Sequence, residues 1–145
     1  MDVDSLIASV EALAEGTFKV ISILNTIKEG GKQRLRLFTE VNSLWMLLKL
    51  VECNFESDEE ELGEAWLKTL CVLNEDIGTF DQIGEVLDSL TNKLQPKVGL
   101  RKALQTLRWP LDKAEVESQV AQLERLKSNI NLALTSTGAA IIREI

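Results

Sequence analysis

The sequence of 145 residues contains no histidine and no tyrosine, and it has only two prolines and two cysteines. Without histidine the chain cannot form a Ser-His-Asp or Cys-His nucleophile pair, an imidazole zinc site or the Glu-x-x-His pattern of di-iron bundles. It also lacks the glycine-rich G-x-x-x-x-G-K-[ST] and G-x-G-x-x-G loops that bind phosphate groups. We therefore expect a protein that is not an enzyme and that uses no metal and no cofactor.

Signals for secretion and for a resting membrane span are also missing. The N-terminus "MDVD" is acidic where a secretory signal would be basic, and the longest uncharged run, residues 128–142, is too short to cross a bilayer. Cys53 and Cys71 both stand beside apolar residues, which is typical of reduced, half-buried thiols. The sequence thus predicts a protein that is cytoplasmic at rest.

The net charge of −7 is distributed unevenly. Residues 56–95 carry 11 acidic and 2 basic groups, whereas residues 96–145 carry 8 basic and 5 acidic groups. Binding to nucleic acid requires a basic face that neutralises phosphates, so we expect no nucleic-acid partner. The basic last third can attract a partner or an anionic surface, or it can be one of two opposed faces of a single bundle.

Apolar residues recur every three or four positions over most of the chain, which predicts helices, and no segment has the two-residue period of a strand. The first helix is expected from an N-cap at Ser5 to the glycine stop at Glu29–Gly31, and the second over about Lys32–Glu52. Gly16 lies inside the first helix, where a glycine predicts a close contact with another helix.

The second half of the chain predicts three more helices. One long helix, kinked near Gly78 and Gly84, is expected from Leu62 to Leu94, and a short basic helix over Leu100–Arg108. The final helix is expected over about residues 112–137, with Asp112 and Glu115 forming a capping box at its start. The expected fold is all-α, a single domain over residues 1–145, built as an antiparallel four-helix bundle with an additional short helix.

Two segments suggest contact with a surface. The first helix carries only three charges between residues 5 and 27 and is long enough to cross a bilayer if it left the bundle, although at rest it is a core helix. A basic stretch surrounds Trp109, an arrangement used by lipid-headgroup contacts. Trp109 can equally be a core anchor with the bases as a solvated rim; the bases are Lys97, Arg101, Lys102, Arg108 and Lys113.

Three stretches in this order resemble the HeLo-like domain, the helical N-terminal domain of fungal STAND or NLR-like immune receptors. The first is "MDVDSLIASVEALAEGTFKVISILNTI", an acidic start followed by a small-residue and aliphatic helix. The second is "EVNSLWMLLKLVE", and the third is "LRWPLDKAEVESQVAQLERLKSNINLAL", a basic tryptophan segment, a break and a long helix. The similarity covers about residues 1–135.

The resemblance implies a cell-death effector of the kind involved in heterokaryon incompatibility and fungal innate immunity. Such a domain rests as a soluble bundle and, once clustered through a C-terminal receptor or amyloid signalling region, forms a homo-oligomer that attacks the plasma membrane. The inserting residues would be those of the first helix: Leu6, Ile7, Val10, Leu13, Val20, Ile21 and Leu24. The contacts with anionic lipid headgroups, or with a partner, would come from Arg101, Lys102, Arg108, Trp109 and Lys113.

The same residues are also compatible with a different function. The chain can be a helical interaction or adaptor module that pairs with another helical domain or with itself and touches no lipid. Acidic residues 56–64 and the basic stretch 97–113 could meet between two molecules, and such contacts would weaken in 0.5 M salt because the Debye length falls to about a few Å.

Overall fold

The structure, a computed structural model, describes residues 3–55, 60–95 and 109–144, with side chains for residues 4–55, 67–95 and 109–135. These residues form helices joined by turns and contain no strand. The all-α prediction is therefore confirmed. The helices are α1 (Val3–Thr26), α2 (Gly31–Phe55), α3 (Glu60–Leu73), α4 (Thr79–Leu94) and α5 (Lys113–Glu144). The predicted short helix Leu100–Arg108 lies outside the described residues.

The turn between α1 and α2 forms where the glycine pair predicted a stop. Residues 27–30 are non-helical, and Gly30 and Gly31 both have positive φ angles, of 103° and 45°. The N-cap prediction at Ser5 is wrong, because α1 begins at Val3 and Ser5 lies within its first turn. The guanidinium of Arg34 donates a hydrogen bond of 3.2 Å to the carbonyl oxygen of Leu24, so α2 satisfies an acceptor in the last turn of α1.

The predicted long helix over Leu62–Leu94 is wrong, because two helices, α3 and α4, stand there with a turn at residues 74–78. Ile77 adopts a left-handed φ of 63°, and its backbone N–H donates to the Asp81 carboxylate at 3.0 Å. Gly78 is the N-cap of α4, and a Cβ there would lie 2.7 Å from the carbonyl oxygen of Glu75. A glycine at position 78 is thus required by the turn, whereas Gly84 lies inside α4.

The start of α5 agrees with the predicted capping box. The Glu115 backbone N–H donates to the Asp112 carboxylate at 2.8 Å, and the Asp112 N–H donates to the Glu115 carboxylate at 3.4 Å. Each side chain therefore satisfies a backbone donor of the other residue. The helix begins at Lys113 and continues beyond the expected end at residue 137, to Glu144.

Contacts between helices place α1 against α2 and α4, and α5 against α2, α3 and α4. Four residue pairs give the directions of α2 and α4 relative to α1. These are Leu24–Arg34 and Phe18–Trp45 between α1 and α2, and Leu13–Gly84 and Gly16–Leu87 between α1 and α4. Four further pairs give the directions of α2 and α4 relative to α5. These are Arg36–Glu117 and Ser43–Lys127 between α2 and α5, and Gln82–Arg125 and Lys93–Glu115 between α4 and α5. Hence α1 is antiparallel to α2 and α4 to α5, whereas α1 is parallel to α4 and α2 to α5.

One core joins these helices, and the apolar stripes of the sequence supply it. The buried residues of α2 are Leu37, Val41, Leu44, Leu48 and Val51. Two polar contacts lie in or beside the core, one within α1 and one between α5 and α2. The hydroxyl of Thr17, fully buried on the stripe of α1, donates to the Leu13 carbonyl oxygen at 2.6 Å. The ammonium of Lys127 lies 2.5 Å from the Glu40 carboxylate, with both side chains largely buried, and ties α5 to α2.

Candidate membrane and partner interface

The residues expected to insert into a membrane form the core-facing side of α1. Five of the seven are buried and the other two, Ile7 and Leu13, are half-buried; the buried ones are Leu6, Val10, Val20, Ile21 and Leu24. They pack between α2 and α4. No apolar face of α1 is therefore presented to a membrane until the helix leaves this position.

The outer side of α1 is polar and carries charge. Glu11, Glu15 and Lys19 are all exposed, as the charge pattern requires for an amphipathic helix. Among the described helices, none combines the length and the apolar character needed to cross a membrane.

The sequence predicted that α1 approaches another helix closely at Gly16, and the spacing between α1 and α4 confirms this only in part. A Cβ on Gly16 would lie 3.5 Å from Cδ1 of Leu87, and a Cβ on Gly84 would lie 3.8 Å from Cδ2 of Leu13. Both distances are ordinary van der Waals contacts. The contact predicted at Gly16 exists, but it leaves room for an alanine.

Of the five residues expected to contact headgroups, the structure describes two, and Arg101, Lys102 and Arg108 lie outside the described residues. Lys113 is exposed as the first residue of α5. Trp109 is half-buried and packs against the core, with its ring on Gly30 in the turn between α1 and α2. Its indole N–H is buried and meets no hydrogen-bond acceptor in the described part of the chain.

A groove that the sequence did not reveal lies on the outside of the α1–α2 pair. It is open, has a volume of about 610 Å³, and is called the Phe18–Trp45 groove below. The two rings meet in a tilted arrangement with centroids 6.1 Å apart, and Phe18 is 55% exposed. Its other lining residues are Glu11, Ala14, Glu15, Lys19, Ser22, Lys49 and Glu52. Phe18 lies outside the apolar stripe of α1. An aromatic residue at such a position is the signal from which the sequence could have indicated this surface.

The free thiols and the acidic side chains do not form a metal site in the described region. Cys53 is exposed, so its predicted half-burial is wrong, while Cys71 is half-buried as expected. No three cysteine, aspartate or glutamate side chains of the described residues converge as metal ligands do.

No protein-family model, curated protein or solved structure gives a significant match to this chain.

Proposed function

We propose that the chain is the N-terminal effector domain of a fungal immune receptor-like protein, and that it induces regulated cell death without enzymatic activity. The domain rests in the cytoplasm, oligomerises when a C-terminal receptor or amyloid signalling region clusters it, and permeabilises the plasma membrane through α1. The proposal starts from the resemblance of residues 1–135 to HeLo-like domains. The fold proposed for it is a four-helix bundle of α1, α2, α4 and α5, which is supported by the contacts among those helices.

The observation that carries the proposal is the position of α1. Residues 27–30 connect it to α2, and its apolar side faces the core, with Leu6, Val10, Val20, Ile21 and Leu24 buried and Ile7 and Leu13 half-buried. Once released, α1 would present Leu6, Val10, Val20 and Leu24 on one face, with Glu11 and Glu15 on another.

The energy of this packing explains why a trigger is needed. Fully burying an aliphatic side chain stabilises a fold by about 1.5–3 kcal/mol, so the five buried leucine, valine and isoleucine residues of α1 together contribute on the order of 10 kcal/mol. That value equals the whole stability of a typical domain. Release of α1 in water loses this burial, and a membrane or an assembly that buries the same face again would restore it.

The polar side of α1 determines how the helix meets lipid. Glu11, Glu15 and Lys19 would each cost a few kcal/mol at the centre of a bilayer. An amphipathic helix lying in the headgroup plane keeps such charges in water. Because the charges of α1 are mainly negative, attraction to anionic lipid has to come from elsewhere in the chain, and we assign it to Arg101, Lys102, Arg108 and Lys113.

The test is dye release from liposomes that contain anionic lipid, with the monomer compared with a version clustered by a fused oligomerising tag. We expect leakage only from the clustered protein, lost on deletion of residues 1–24 and reduced by charge reversal at Arg101, Lys102 and Arg108. A matched control is charge reversal at Arg125, a base of α5 outside the basic stretch, which should leave leakage unchanged. Absence of leakage at every valency, with the fold intact, would contradict the proposal.

A second candidate function is an interaction or adaptor module with no membrane activity. The observation that favours it is the Phe18–Trp45 groove, an exposed aromatic surface that exists without any movement of α1. Exposed aromatic residues are typical anchors of protein interfaces. This candidate predicts that the clustered protein binds a helical partner or itself but never releases dye.

A further inference from the structure

We propose that the Phe18–Trp45 groove of one molecule binds the basic segment of residues 96–108 of a second copy of this chain. The inference deepens the proposed function and rests on it in one respect, because it supplies the contact through which the resting domains come together before α1 is released. It assigns a partner to a surface that the effector mechanism otherwise leaves unused.

The floor of the groove is suited to apolar side chains. Phe18 is 55% exposed although its ring contacts that of Trp45, and Ala14 lies buried beside it on α1. A partner that covered the two rings would remove a large apolar area from water at little conformational cost. In the basic segment, Leu100, Leu104 and Leu107 are spaced to share one face of the helix that the sequence predicts there.

The rim of the groove supplies the charge that this segment needs. Glu11 and Glu15 are exposed and stand one helical turn apart, and in the described part of the chain neither carboxylate is paired with a base. Lys49 and Glu52, on the α2 side, pair with each other at 2.7 Å. The two carboxylates of Glu11 and Glu15 are therefore available to a basic partner. Residues 96–108 contain four basic residues and no acidic one. Opposite charges of this kind give orientation and specificity to an interface.

Chain connectivity favours the groove of a second molecule over that of the same molecule. Arg108 precedes Trp109, whose ring lies on Gly30 at the far end of α1, and one residue adds less than about 4 Å of chain. Glu15 lies eleven residues before Thr26, about 16 Å further down the helix at 1.5 Å per residue. The end of the groove closest to Trp109 carries Lys19, which repels a basic segment. A second molecule has neither restriction.

The geometry determines what kind of assembly forms. The groove and the segment are different surfaces of the chain, so the contact is head-to-tail, and each molecule that is added leaves one groove and one segment free. Assembly of this type continues by addition and gives an average mass that rises with protein concentration. A self-complementary dimer would instead stop at twice the monomer mass.

The experiment is sedimentation velocity on the full chain over a wide concentration range, without lipid. We expect wild-type mass to rise with concentration, and Glu11→Lys/Glu15→Lys to weaken association by about tenfold or more, since exposed ion pairs contribute up to about 1 kcal/mol each. Arg101→Glu/Lys102→Glu/Arg108→Glu should weaken it similarly. Mixing these two variants should restore association, because each then meets a surface of opposite charge. The matched control, Glu85→Lys/Asp88→Lys, reverses two exposed carboxylates of α4 outside the groove and should associate like the wild type.

Three results would overturn the inference: a wild-type chain that stays monomeric, association that the groove variant leaves unchanged, or variants that fail to associate when mixed. Circular dichroism of every variant shows whether the fold is kept, and the mixing experiment stays decisive where one variant alone is less stable. The leakage assay with tag-clustered wild-type protein is independent of this contact. Leakage without self-association would contradict the inference and leave the membrane function standing. Self-association without leakage would contradict the membrane function and leave the inference standing.

Discussion

The ring of Trp109 lies on Gly30, and a Cβ on that glycine would come within 2.7 Å of ring atom Cδ2. The contact joins the residue that follows the basic segment to the turn on which α1 would pivot. Trp109 thus stabilises the resting position of α1, in addition to any contact that it makes with lipid after release. A movement of the basic segment would act directly on this turn.

Replacement of Gly30 by alanine is expected to lower the free energy of unfolding by about 3 kcal/mol or more, because the backbone is in a conformation that favours glycine and the new methyl group meets the indole. The measurement is urea denaturation followed by circular dichroism. Gly31→Ala is the matched control, since Gly31 also has a positive φ but no atom lies within 4 Å of its Cβ position. It should cost only about 1–2 kcal/mol, and equal losses in the two variants would contradict the role of Trp109.

Replacement of Gly16 by alanine is expected to stabilise the protein by about 1 kcal/mol, because alanine favours the helix and its methyl group fits against Leu87. Thermal unfolding measures the gain. If α1 must leave α4 to act, the same variant should release less dye from liposomes when clustered. The control Ala12→Gly, on the exposed side of α1, should lower stability by a similar amount and leave the contact with α4 unaltered.

Removal of Lys127 is expected to cost about 3 kcal/mol, because its partner Glu40 would keep a charge in a largely buried position. The hydrogen bond of 3.1 Å from Lys127 to the Ser43 hydroxyl would be lost as well. Lys127→Met measures this, and the double variant with Glu40→Met should regain most of the loss. Arg36→Met tests the exposed pair with Glu117, which is 3.8 Å apart and half-exposed on both sides, and should cost under about 1 kcal/mol. A similar cost for both pairs would show that burial has no effect here.

Replacement of Ile77 by glycine is expected to stabilise the protein by about 1 kcal/mol. The residue has a φ of 63°, which is unfavourable for a β-branched side chain, and it is 85% exposed, so little packing is lost. The backbone N–H that donates to Asp81 is kept. Val72→Gly, at an exposed position in the last turn of α3, should instead destabilise the protein, because glycine is a poorer helix former. Loss of stability at Ile77 would mean that its side chain has a contact that compensates for the strain.

The helices that could be predicted are those whose signals lie within a few residues. The capping box of Asp112 and Glu115 and the stripe of α2 depend on neighbours three or four positions away, and both agree with the structure. The break between α3 and α4 was missed because the apolar spacing continues through residues 74–78. Ile77 occurs at the spacing expected of a buried helical residue, although its side chain is exposed to solvent.

The candidate surfaces divide in the same way. The apolar side of α1 could be read from the sequence as a single stripe, and the structure places it in the core. The Phe18–Trp45 groove could not be read, because it exists only where α1 and α2 lie side by side. The position of Trp109 also remained open, since the sequence allows both a core anchor and an exposed headgroup contact.

By itself, then, the sequence determined that the protein is helical, that α1 ends before a glycine turn, that a capping box starts α5, and which positions of α1 and α2 form their buried apolar stripes. A helix closes its hydrogen bonds over four residues, so signals of this kind lie within the local sequence. Only the tertiary structure decided that α1 runs parallel to α4, that Trp109 covers Gly30, and that Phe18 and Trp45 form a groove. Those contacts join residues far apart in the chain, and they depend on how apolar surfaces of several helices fit together at once.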